Sequence, residues 1–291
     1  MKIHSYEKAL FSQKLNPERL LELQKEFPLF LGDKPLDTMQ TAQLLAYVSD
    51  PYLQKLFEET QKVYPNLDAQ EKAVSSIFRH IKFYYSNFMY PEVFSYISGS
   101  DDEVFYENQV LVIGLDRFLG AGFEGYNVAG IPRYKQFSMS PDYLNRKITM
   151  ALAKYFVPAV SPNAPLLHQM IYEAKLLYFV QSMNPEIKEN ILLEQTTVNT
   201  QWLHKKEADI WRYYIENGLL YKSDYMDYSK FINDSPFTSV LGEDSAPRTG
   251  IFLGYQIVLS YMEKTKVSFK QLMRNTNPQS ILQKSGYKPK Q

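Results

Sequence analysis

Four histidines, His4, His80, His168 and His204, are the only imidazoles in the chain, and cysteine is absent. Thiolate metal sites, cysteine nucleophiles and disulfides are therefore out of reach. Metal-activated hydrolysis through H-E-x-x-H needs two histidines one helical turn apart, with a glutamate between them to activate the bound water. No two of these histidines stand four apart. His168 precedes Glu173 by five residues, about 500° of helical rotation, so the two side chains diverge. His80, beside Phe83-Tyr84-Tyr85, reads as a packing or surface residue. A G-x-S-x-G elbow, a G-x-x-x-x-G-K-[ST] loop and a G-x-G-x-x-G turn are all missing. Gly250 and Gly254 form a G-x-x-x-G, whose polar neighbours Tyr255 and Gln256 point to close helix packing and not to a membrane span. The acidic pairs Asp101-Asp102 and Glu243-Asp244 read as solvated loop. Carboxylate pairs for glycoside hydrolysis stay open, because such partners meet only in three dimensions.

Composition narrows the class. The chain has 291 residues, enough for one large domain, with 45% apolar and 22% charged residues, as in a packed globular protein. Lys plus Arg and Asp plus Glu both number 32, so there is no basic field of the kind a nucleic-acid binder carries. No apolar run approaches the roughly 18 to 20 residues of a membrane span. The opening Met1-Lys2-Ile3-His4-Ser5-Tyr6 lacks an apolar signal core. A cytosolic protein, or one numbered after a removed leader, would both look this way. Tyr (23) and Phe (18) far outnumber Trp (2). That predicts an aromatic core with hydroxyls at its rim, with a sugar-binding platform as the alternative.

The elements that must position any site follow from periodicity and caps. Residues 1–88 read as helices. Asn16-Pro17 opens one with Leu20, Leu21, Leu23 and Phe27 on its face, and Asp68 with Glu71 looks like a capping box before Ala73, Val74, Ile77, Phe78 and Ile81. Residues 89–140 hold a small sheet. Val93 to Ile97, Val104 to Tyr106 and Val110 to Ile113 are strand-like, separated by the turns Gly99-Ser100-Asp101-Asp102 and Glu107-Asn108, and they suggest an antiparallel meander. The unbroken run Val110 to Ile113 suits a strand buried on both faces. A loop from Gly120 to Pro132 leads away. Residues 141–291 return to helix. Ser140-Pro141 starts a stripe of Ile148, Ala151, Leu152, Tyr155 and Phe156; Pro165 starts one of Leu167, Met170, Ile171, Ala174 and Tyr178. A third helix runs from Thr197 to a left-handed Gly218, with Trp202, Ile210, Trp211, Tyr214 and Ile215, and a fourth from Arg248 to Met262. The expected fold is α+β, predominantly helical, helices on a small antiparallel or mixed sheet in one domain spanning 1–291.

Several segments in order resemble the family of the gliding-motility lipoprotein GldB. They are Glu92-Val-Phe-Ser-Tyr-Ile-Ser-Gly99, Leu111-Val-Ile-Gly-Leu-Asp-Arg-Phe-Leu-Gly120 and Met170-Ile-Tyr-Glu-Ala-Lys-Leu-Leu-Tyr-Phe179. Trp202 through Trp211, Phe231-Ile-Asn-Asp-Ser-Pro-Phe237, Pro247-Arg-Thr-Gly-Ile-Phe-Leu-Gly-Tyr-Gln-Ile-Val258 and Ser285-Gly-Tyr-Lys-Pro289 continue it, after an opening Tyr6-Glu7-Lys8-Ala9-Leu10-Phe11. The resemblance extends, more distantly, to predicted zincin-like proteases, in which a helix of the type E-G-x-A-x-Y-F supplies a third zinc ligand. Glu173-Ala-Lys-Leu-Leu-Tyr-Phe179 is similar to that helix. Alignment by eye then puts Ala153-Lys154-Tyr155-Phe156-Val157 in the slot of H-E-x-x-H, with Ala153 and Val157 for the histidines and Lys154 for the general base.

The resemblance thus implies a degenerate cleft, with Lys154, His168, Glu173, Tyr178, Arg248 and Tyr255 as its candidate residues, and no catalytic residue, metal or cofactor. Lys154 and Glu173 are expected either to pair across it or to point to solvent. The resembling families also carry a basic-glycine-glycine helix start near the cleft, so Arg248 is expected to bind a carboxylate or peptide end, or else to cap and pack its helix. On this reading the protein is a non-catalytic, zincin-like pseudoenzyme of the Bacteroidota cell envelope. It would work with other envelope proteins of the gliding or secretion machinery, bind no nucleic acid, and be held at the periplasmic or outer-membrane face by an N-terminal lipid anchor. The family pattern would attach that lipid to a cysteine, which this chain lacks, so Met1 is expected to stand near the lipidation site. An active hydrolase or peptidase with an atypical site, and a carbohydrate- or peptide-binding module, are the alternatives.

Overall fold

The computed structural model describes residues 1–99 and 103–289. Helices of more than four residues are numbered in chain order. The N-terminal part holds β1 (Ile3–Ser5), α1 (Tyr6–Phe11), α2 (Pro17–Glu26), α3 (Thr38–Ser49), α4 (Pro51–Val63) and α5 (Asp68–Tyr84). Then come β2 (Glu92–Tyr96), β3 (Val104–Glu107) and β4 (Val110–Gly114). The C-terminal part is built from α6 (Pro141–Phe156), α7 (Leu166–Met183), α8 (Thr197–Glu216), α9 (Thr249–Lys264), α10 (Phe269–Arg274) and α11 (Pro278–Ser285). This is the predominantly helical α+β fold that the sequence predicts.

The sheet corrects two expectations. Its order is β1-β2-β4-β3, with β1 and β2 parallel, β2 and β4 parallel, and only β3 antiparallel to β4. It is mixed, not an antiparallel meander, because β3 lies beyond β4 and leaves β2 to pair with β4 directly. The first residues are not helical but form β1 at the far edge; a three-residue strand is too short to show a period and is defined only by the neighbour it pairs with. Glu71, in turn, is no capping residue. Its carboxylate accepts from the Ile3 N–H at 2.9 Å, while Asn66 accepts from the Asp68 N–H. Of the two turns read around β3, Ser100, Asp101 and Asp102 fall outside the described residues, and so does the pair Asp101-Asp102. Glu243 and Asp244 sit in an exposed turn, as expected.

Alternation along the strands divides the core. Val93, Leu111 and Ile113 face α5, α6 and α7, whereas Phe94 and Val112 face the N-terminal helices, where Tyr6, Leu10, Leu23, Phe27 and Leu56 meet them. β4 is thus covered on both faces, as its unbroken apolar run implies. The Asn16 side chain caps α2 by accepting from the Arg19 N–H. Gly254 lets α9 lie directly on α7, since a Cβ there would run into the Met170 carbonyl. Stripe residues with more than half their surface free are Leu21, Tyr155 and Ile215; a helix face wider than its partner leaves such side chains at the rim.

Candidate functional site

Two adjoining cavities of about 560 and 720 Å³ share one wall, formed by Glu103, Lys135, Lys147, Glu194, Asp234 and Arg248. Glu194 is at its centre. It follows a short helical turn, Glu189–Leu192, and stands in the left-handed region at φ 51°. Arg248, the residue before α9, is left-handed too, at φ 54°. Such backbone in a non-glycine residue costs on the order of 1–3 kcal/mol and persists where surroundings over-determine it. Here they do. Arg146 of α6 bonds the Leu192 carbonyl through Nε at 2.9 Å and reaches the Glu194 carboxylate at 2.7 Å. Lys147 bridges Glu194 and Glu103, each at 2.7 Å. Arg248 donates to the carbonyls of Leu193 and Glu194 and lies 3.5 Å from both Glu194 and Asp234. The Gln195 amide closes the knot by donating to Pro247 O.

Burial alone would push the Glu194 carboxyl up, but Arg146, Lys147 and Arg248 outweigh it and hold the group well below the usual carboxylate range. It is an anion at neutral pH. The network ties α6, the 189–195 segment, the start of α9 and the entry to β3 together. Nothing in the local sequence announces it: the three cations and Glu194 come from distant segments. The signal that was available, Arg248 ahead of Thr249-Gly250, pointed to the right place.

The second cavity is floored by α6 and α7. Arg146, Lys147, Met150, Ala151 and Lys154 come from α6, and Glu173 from α7. Glu173 has no hydrogen bond or ion pair within 4 Å among the described residues. Burial raises its pKa, against the pull of Lys154, Arg146 and Arg248 and with a further push from Asp234. Lys154 therefore shares the cavity with Glu173 and acts on it through space, but the two do not form the expected direct ion pair. Arg248 lines the cavity with its guanidinium committed to Leu193 and Glu194, so it serves packing and the helix start, not a free anion.

The remaining candidates lie elsewhere. Tyr255 is buried in the core; Tyr178 packs on Phe269 of α10; His168, in the first turn of α7, has a buried Nδ1 with no partner among the described residues. None of the three lines either cavity. The slot expected for H-E-x-x-H does not face the cavity. Ala153 and Val157 are fully packed in the core, and the α6 positions that share the cavity with the spacing i, i+1, i+4 are Met150, Ala151 and Lys154. Among the described residues no three His, Asp or Glu side chains converge as metal ligands. Of the carboxylates lining this cavity, Glu194, Glu103 and Asp234 are paired with Arg146, Lys147 and Arg248 and Glu173 alone is unpaired among the described residues, so the residues present do not fit a zinc ion, which needs three or four protein ligands. Among the described residues Tyr225 is the one aromatic lining this cavity, and Trp202 and Trp211 pack against the core away from it, which is a poor sugar platform.

Compared with known families, residues 1–289 match the family described as Gliding motility protein GldB. The chain belongs to this family. Comparison with curated proteins and with solved structures gives no match. A family of gliding-motility lipoproteins points to the cell envelope and to work alongside other envelope proteins. Among the described residues no helix is long and apolar enough to cross a membrane.

Proposed function

We propose that this GldB-family chain is a non-catalytic component of the gliding or secretion machinery, a retired relative of zinc peptidases whose charged cleft binds a partner. The observation that carries the reading is the fate of the cleft's ionisable groups. Arg146, Lys147 and Arg248 are spent on Glu194, and the cavity positions with the spacing of a zinc-binding helix hold methionine, alanine and lysine. Glu173, on the neighbouring helix, lines the same cavity without a partner among the described residues, which suits the remnant of an acidic ligand.

A retired zinc site makes a constructive test. Restoring donors on the cavity face, as the triple variant Met150→His, Ala151→Glu, Lys154→His, would complete a set with Glu173. The expected result is that the unaltered protein, purified and dialysed, carries no stoichiometric zinc and cleaves no peptide, while the triple variant gains zinc. Stoichiometric zinc or chelator-sensitive cleavage in the unaltered protein would overturn the non-catalytic reading. A correctly folded triple variant with no zinc would overturn the kinship with peptidases and leave the binding role standing.

One observation favours a second reading, an atypical hydrolase. Glu173 is a carboxyl whose pKa is raised by burial at the edge of a cavity, which is how a general acid is prepared. The cleavage assay separates the two.

A further inference from the structure

The free edge of the sheet runs past the mouth of the second cavity, and the two together describe a ligand. Asn108 and Gln109, at φ 48° and 65°, make the two-residue turn between β3 and β4, with both central residues left-handed as a type I′ hairpin requires. Glu107 and Val110, flanking it, are partners, and at the other end the Gly114 N–H donates to Glu103 O at 2.8 Å. Hydrogen-bonded and non-bonded pairs alternate along an antiparallel ladder, so 103, 105 and 107 bond to β4. Val104 and Tyr106 turn their N–H and C=O groups outward, where they have no partner among the described residues. Val104 and Glu103 also line the cavity. A strand added to this edge would carry its side chains over the cavity mouth.

Among the described residues, the unpaired cations there are two lysines. Of the five cations on the cavity wall, Arg146, Lys147 and Arg248 are paired with Glu194, Glu103 or Asp234. Lys135 and Lys154 have no carboxylate within 4 Å among the described residues. Across from them Glu173 is unpartnered, and its burial disfavours the charged form. That weighs against a further negative charge on this wall and leaves the two ammonium groups of Lys135 and Lys154 as the donors on offer.

We propose that the cleft takes an extended acidic segment of a partner polypeptide, paired to the β3 edge at Val104 and Tyr106, with one carboxylate seated between Lys154 and Glu173. This rests on the reading of the chain as a binding component and names its ligand class. The backbone pairing supplies affinity without sequence, and the lysine pair supplies the preference for Asp or Glu. A basic segment is disfavoured: it would bring a cation to a wall where Lys135 and Lys154 already stand without a carboxylate partner among the described residues. A polyanion such as nucleic acid needs a broad basic field, which a chain of net charge zero does not provide.

The test is selection of a displayed library of random peptides, roughly a dozen residues long to cover a standard edge-strand site, on the full chain. Fluorescence anisotropy then compares the best binder with its Asn or Gln analogue, on the unaltered protein and on the double variant Lys135→Ala, Lys154→Ala. Both lysines are off the core, so the variant's melting temperature serves as the folding control. Selected peptides are expected to share an acidic position and to lose at least about tenfold in affinity on amidation and on removal of the lysines. Bound peptide is expected to slow hydrogen exchange at the Val104 and Tyr106 amides. No enrichment, enriched peptides without an acid, or affinity indifferent to the lysines would overturn the ligand class while leaving a non-catalytic role intact. Cleavage of the bound peptide would instead overturn the reading on which the proposal rests.

Discussion

Arg146 Nη1 lies 2.7 Å from Glu194 Oε2, and the two side chains are only 6% and 12% exposed. An ion pair so sheltered is costly to break from one side, since the partner is left as an uncompensated buried charge. Glu194→Gln removes the carboxylate that three cations share and leaves the buried Arg146 with none. We expect it to lower unfolding free energy by roughly 3–5 kcal/mol, read by urea denaturation at neutral pH. A loss under about 1 kcal/mol would mean that solvent screens the network.

The same carboxylate sets an acid limit. Its folded pKa is depressed, so its contribution is complete above the unfolded value, about 4.3 for glutamate, and is lost as pH falls from there toward the folded value. Denaturation between pH 5 and 2 should therefore fall more steeply for the unaltered protein than for Glu194→Gln. Parallel curves would contradict this assignment.

Glu173 behaves oppositely. Its folded pKa is raised, so the folded state holds the proton longer and stability declines as pH climbs through the window above the ordinary glutamate value. Glu173→Gln, which removes that ionisation, is expected to be neutral or stabilising by up to about 1 kcal/mol at neutral pH. A carboxyl kept at a cost to stability fits a binding role. Destabilisation on this substitution would mean that Glu173 is structural.

Lys175 gives an alkaline signature from the other side of α7. It is buried, 3% exposed, and donates to the carbonyls of Met273 and Asn275 at the end of α10. Burial pushes its pKa down to about 8. For a lysine with a lowered folded pKa, the unfolded chain binds more protons between about 8 and 10.4, so stability rises across that window. Lys175→Met should flatten this rise relative to the unaltered protein in matched melts. The same slope in both would place the proton elsewhere.

Gly254 is under a purely steric constraint. Gly254→Ala drives a methyl into the Met170 carbonyl and must separate α7 from α9, an overpacking cost of typically 1–3 kcal/mol or more. Thermal melting should drop accordingly, whereas Gly122→Ala, where nothing among the described residues lies within 4 Å, should leave it nearly unchanged.

Much was decided locally and could be read without coordinates. The Asn16-Pro17 and Ser140-Pro141 starts, the left-handed Gly218 after α8, the Gly250/Gly254 packing face and the doubly buried β4 run all depend on interactions within a few residues of each other or on a period visible in one segment. The scattered histidines ruled out H-E-x-x-H for the same reason, and the ordered segments identified the family. The tertiary structure alone decided the rest. β1 exists because β2 offers it an edge, Glu71 abandons its own helix for the Ile3 amide, and the Glu194 knot joins side chains from four segments far apart in the chain. Which face of α6 looks into the cleft was likewise settled by packing: Ala153 and Val157 fill the core, and Met150, Ala151 and Lys154 are left on the wall. A period records that a helix has a buried side, but only its neighbours determine what the opposite side meets.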